Sequence, residues 1–103
     1  MSDSIITTLA KLGTAKFGPS WLFLKTAEEA SEVIHDALKL ASTSSVTNNP
    51  RTPEELDEFR CNLLNEIAQC QIYMEMLVSQ LDAEQQVGIN RWAQIQRLTD
   101  KFQ

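Results

Sequence analysis

Residues 52–81, TPEELDEFRCNLLNEIAQCQIYMEMLVSQL, decide the fold. Thr52 stands before Pro53 and three residues before Glu55, the pattern of a capping box with proline at the first helical position. Behind that start, Leu56, Phe59, Leu63, Ile67, Cys70, Met74, Leu77 and Leu81 alternate three and four residues apart. Such a seam predicts one long helix packed in a bundle.

Working outward, Asp82 with Gln85 predicts a second cap, opening a final helix with apolar positions at Val87, Ile89, Trp92, Ile95, Leu98 and Phe102. Upstream, residues 42–52 (STSSVTNNPRT) are polar and aperiodic, an expected exposed connector placed to act as a lid. Before it, a helix over about 21–41 is expected, with Ser20 as its N-cap. Its apolar face is read as Phe23/Leu24, Ala27, Ala30, Ile34, Ala37/Leu38 and Ala41, with Glu28, Glu32, His35, Asp36 and Lys39 opposite. Residues 3–16 carry a weaker stripe, Ile5, Ile6, Leu9 and Leu12, interrupted by Gly13 and closed by Gly18-Pro19-Ser20. The expected fold class is therefore all-α, a single domain over 1–103 resembling a four-helix bundle. Its core is thin for four helices, and Tyr73, Met74, Met76, Leu77 and Val78 spread around the long helix. We therefore expect a homo-oligomer, a dimer or tetramer joined through its long helices.

Composition narrows the function classes. The apolar fraction of 43% and charged fraction of 22% are those of a folding chain. A net charge of −5, with nine Lys plus Arg, argues against nucleic-acid binding by phosphate neutralisation. No apolar run approaches the roughly 20 residues that cross a bilayer. Cys61 and Cys70 would lie about 13 Å apart along one helix, too far to pair. With no signal-peptide pattern, this leads us to expect a cytoplasmic protein with ordinary buried thiols.

Two acidic groups stand out, Glu28-Glu29-x-x-Glu32 and Glu66-x-x-Gln69, each with members that share a helix face. If their helices pack antiparallel, the two meet as an all-oxygen site, which suits Mg²⁺ or Mn²⁺ rather than zinc. Glutamates also line solvated helix faces, so spacing alone leaves both readings standing. His35 completes a single Glu-x-x-His, where di-iron bundles need two such motifs. A lone histidine likewise gives no support to triad chemistry.

Three segments, TAEEASEVIHDALKL, LLNEIAQCQIYMEML and INRWAQIQRL, resemble the all-α nucleoside triphosphate pyrophosphatases of the MazG and dimeric dUTPase type, in their short phage or prophage form. The resemblance covers about residues 20–101. It implies a Mg²⁺-dependent enzyme that cleaves a nucleoside triphosphate to the monophosphate and pyrophosphate. It makes Glu29, Glu32 and Glu66 metal ligands, with Gln69 at the fourth position, where the family pattern has Asp. Glu28 and Glu32 would be the catalytic residues, Glu28 as an acidic neighbour that binds or orients water. Arg91, Arg97 and Lys39, with Lys25 in reserve, would meet phosphates, and Trp21 would stack on the base. The alternative expectation is a non-catalytic MazG-like module that binds nucleotide or a protein partner, the reading that Gln69 favours.

Overall fold

The computed structural model describes residues 4–43 and 51–103, and contains four helices and, among these residues, no strand. They are α1 (Ser4–Phe17), α2 (Trp21–Thr43), α3 (Pro53–Gln80) and α4 (Glu84–Phe102). The start of α3 is as expected: the Thr52 hydroxyl accepts the Glu55 N–H at 3.1 Å, and the Thr52 N–H donates back to the Glu55 carboxylate at 3.4 Å. Of the connector expected over 42–52, Ser42 and Thr43 belong to α2, while 44–50 lie outside the described residues. Nothing in the structure bears on the lid reading.

Two helix ends differ from expectation. Gly13 does not break α1; it sits within the helix, and a Cβ there would overlap the Trp21 ring, so the missing side chain lets α2 approach. The chain instead turns at Gly18, whose φ of 96° costs glycine little and whose N–H caps the Thr14 carbonyl at 2.8 Å. At the other junction Asp82 caps nothing. It takes φ 50° and closes the end of α3, and Ala83 is the N-cap of α4 with no side-chain cap bond.

α2 and α3 form the main packed pair, with α1 laid across the C-terminal part of α3. Thr26 reaches the Tyr73 carbonyl, Lys39 lies over the Phe59 ring, and Glu32 meets Glu66 between them. Positions rising along α2 thus meet positions falling along α3, so the pair is antiparallel. Ile6, Ala10, Leu22 and Met76 form the buried core, flanked by Trp21, Tyr73 and Leu77. Polar bonds pin α1 on α3: Ser79 Oγ donates to Thr7 Oγ1 at 3.1 Å and Thr14 Oγ1 to Gln80 Oε1 at 2.9 Å.

The face that α2 turns inward is rotated away from the expected one, although Glu28, Glu32, His35 and Lys39 stay exposed as expected. Leu22 and Glu29 are buried and Lys25, Thr26, Val33 and Asp36 half-buried, whereas Phe23, Leu24, Ile34 and Leu38 are exposed, the last at 66%. On α3 the seam also shifts by one position, running from Cys70 to Tyr73 and Met76 and leaving Met74 outside.

α4 approaches only α3, and nowhere α1 or α2. It buries no residue, and Trp92 and Phe102 are 62% and 77% exposed. Within one chain, α1–α3 pack together while α4 extends from the end of α3.

Candidate metal centre

Because α2 meets α3 with the side that carries Leu22, Glu29, Val33 and Asp36, Glu29 is carried into the interface, where it is 3% exposed. Its Oε1 pairs with Lys25 Nζ at 3.3 Å, one turn earlier, and its Oε2 is buried without a hydrogen-bond partner. Glu28 stands exposed at the rim and shares the same ammonium at 3.4 Å. Glu28, Glu29 and Glu32 each bring one oxygen within 4.8 Å of the others. Neighbouring oxygens on an octahedral magnesium ion stand about 3 Å apart, so the three carboxylates must draw inward to ligate one.

Glu66 faces this group from α3. Its carboxyl is held above the ordinary glutamate range, first by a hydrogen bond shared with Glu32, then by desolvation, then by the charges of Glu32, Glu29 and Asp36. Glu66 Oε2 is also buried with no partner. Like charges this close oppose ionisation, and a buried carboxylate oxygen without a donor costs free energy. A proton or a cation between α2 and α3 relieves both. The donor set is all oxygen and anionic, the chemistry that hard divalent ions select.

The structure thus brings together Glu28, Glu29, Glu32 and Glu66, with Asp36 nearby. Gln69 is exposed and borders a groove of about 410 Å³ between α1 and α3, beside Leu9, Phe17, Trp21 and Tyr73. Trp21 is packed with the core, its ring centroid 5.0 Å from Phe17 and 6.0 Å, edge-on, from Tyr73; one side of it lines the same groove. Lys39 Nζ sits 4.5 Å above the Phe59 ring, where Arg51 also lies at 5.5 Å, toward the start of α3. Arg91 and Arg97 are exposed on α4, away from α2, and Arg97 Nε donates to Gln94 at 2.8 Å. His35 is exposed.

Two participants take roles that the sequence reading does not give them: Tyr73 reads only as part of the apolar spread around the long helix, and Lys25 only as a reserve phosphate contact. Tyr73 packs its ring 5.7 Å from Lys25 Nζ, and Lys25 itself neutralises part of the cluster. The i,i+3 and i,i+4 spacing of Lys25 to Glu28 and Glu29 is the signal that could have placed it.

Set against known protein families, curated proteins and solved structures, the chain has no match. Among the described residues no helix is long and apolar enough to cross a membrane.

Proposed function

We propose that this chain is a Mg²⁺-dependent nucleoside triphosphate pyrophosphohydrolase, with Glu29, Glu32 and Glu66 as metal ligands. The observation that carries the reading is the orientation of α2: it faces α3 with Glu29 rather than with Phe23, Leu24, Ile34 and Leu38, and leaves two buried carboxylate oxygens unpartnered. A helix chosen for stability alone gains by burying the apolar face. The sequence resemblance to the MazG type adds the reaction class. A bound Mg²⁺ or Mn²⁺ would neutralise triphosphate charge and lower the pKa of water. Glu28, exposed at the rim, would orient that water toward the α-phosphorus, where the water oxygen would bond as the bond to the pyrophosphate leaving group breaks.

The same reading includes self-association. α2 exposes Leu24, Ile34 and Leu38, and α4 exposes Val87, Ile89, Trp92, Ile95, Leu98 and Phe102. A second copy covering these faces would complete a bundle as a homodimer or homotetramer. Arg91 and Arg97 would reach phosphates at the carboxylates only from another copy, because α4 of the same chain stays clear of α2.

The test is pyrophosphate release from a panel of ribo- and deoxyribonucleoside triphosphates with Mg²⁺ or Mn²⁺. Glu32→Ala should lose at least about a hundredfold in rate, since even indirect partners of a metal cost 10–100-fold, with its helical circular dichroism intact. Turnover that survives in Glu32→Ala, or none in the wild-type protein, contradicts the enzymatic reading. The second reading, a non-catalytic module binding nucleotide or a protein partner, is favoured by Gln69, which adds no charge and borders the aromatic groove. Nucleotide binding without release would support it.

A further inference from the structure

Lys25 is the cation nearest to the orphaned carboxylate, and its contacts are loose. Nζ lies 3.3 Å from Glu29 Oε1 and 3.4 Å from Glu28 Oε1, where charge-assisted pairs typically close to about 2.7–2.9 Å. One ammonium reaches Glu28 and Glu29, with Glu32 beside them and Glu66 opposite, so part of the negative charge stays uncompensated. It satisfies a single oxygen of Glu29 and leaves Oε2, on a side chain only 3% exposed, with no donor.

We propose that Lys25 is a tethered counter-ion that stands in for the divalent cation on Glu28 and Glu29, and that cation binding displaces it. The proposal rests on the metal reading above, not on turnover. A divalent ion takes oxygens at about 2.0–2.2 Å and must draw the three glutamates together. The lysine holds Glu28 and Glu29 toward the N-terminal side of the cluster, and keeping it there would set two cations against one small carboxylate group. Displacement is inexpensive because the bonds are long and the ammonium already lies over the Tyr73 ring, 5.7 Å from its centroid, a contact that it can keep as it leaves the carboxylates. Lys25 thereby raises the cation concentration at which the site fills and keeps α2 seated on α3 until it does.

The test uses the full chain and Mn²⁺ alone. Free Mn²⁺ is counted by paramagnetic resonance during titration of wild-type protein, Lys25→Met and Lys25→Arg. Removing one unit charge a few ångströms from the ion should tighten Mn²⁺ binding by about tenfold in Lys25→Met, while Lys25→Arg stays near wild type. In parallel, labelling of wild-type Lys25 with an amine-reactive ester, read by mass spectrometry, should speed up when Mn²⁺ is added. This second arm does not depend on a variant that folds. Equal or weaker binding in Lys25→Met would make Lys25 an orienting partner of Glu29 and overturn the proposal, as would labelling that Mn²⁺ leaves unchanged. Absence of Mn²⁺ binding in both proteins overturns the proposal together with the metal site. Tightened binding without pyrophosphate release leaves the proposal standing and removes only the enzymatic reading.

Discussion

Single side chains set the terms on which α2 and α3 stay together. Glu66 has its pKa above the ordinary value, chiefly through the hydrogen bond with Glu32, so the folded protein holds that proton more tightly than the unfolded chain does. The stabilisation is fully present below the ordinary carboxylate pKa and is lost as pH rises through the raised value. Metal-free protein should therefore melt at a lower temperature at neutral pH than at mildly acidic pH. Glu66→Gln supplies a permanent donor, and should flatten that slope and raise the neutral-pH melting temperature while abolishing Mn²⁺ binding. Melting curves across pH that leave the slope unchanged in the variant would contradict the pairing. At this scale the acidic residues were legible, because Glu29, Glu32 and Glu66 are polar groups at helical spacing that an antiparallel pair brings together. The spacing of Lys25 to Glu28 and Glu29 carried its pairing with them, but not the burial of that pair, since an exposed helix and a buried one use the same i,i+4 geometry. The position of Trp21 was not legible either, since its place is set by the notch at Gly13.

The helices themselves were legible where local chemistry decides them. The capping box at Thr52 is one such place, and Thr52→Ala should lower unfolding free energy by about 1 kcal/mol, read by urea denaturation with an unchanged slope. Gly13 is the opposite case, a residue read from propensity as an interruption that is instead a contact. Gly13→Ala gains about 1 kcal/mol in helix propensity but overpacks against Trp21, which costs about 1–3 kcal/mol. We expect net destabilisation and a change in tryptophan fluorescence; a stabilised variant would show that α1 and α2 are not held by that contact. The inward face of α2 was misread for a physical reason. Counting apolar residues assumes that the richest face meets the core of its own chain, whereas here that face is exposed and the half-polar one meets α3. The shift from Met74 to Tyr73 on α3 has the same origin, because three- and four-residue steps from Cys70 are equally helical.

The whole molecule is open for its size. Its Cα radius of gyration is 17.3 Å, against about 13 Å for a compact chain of this length. Its accessible surface is 7951 Å², where a compact monomer of 11.6 kDa exposes about 5,800 Å². The excess, about 2,000 Å² per chain, is the area that obligate subunit interfaces remove. All-helical character was visible in the sequence, but the division into a packed α1–α3 unit and an extended α4 was not, because an amphipathic stripe does not say whose core it enters. Sedimentation should find a dimer or tetramer, and Leu38→Glu or Trp92→Glu should shift it toward monomer; a wild-type monomer at micromolar concentration would contradict the self-association. The central claim, that carboxylates of α2 and α3 form one divalent-cation site, is tested most directly by calorimetric titration of the wild-type protein and Glu29→Gln with Mn²⁺. The account predicts saturable binding in the wild type that is lost in the variant. No binding at millimolar Mn²⁺, or equal binding by both proteins, would contradict it.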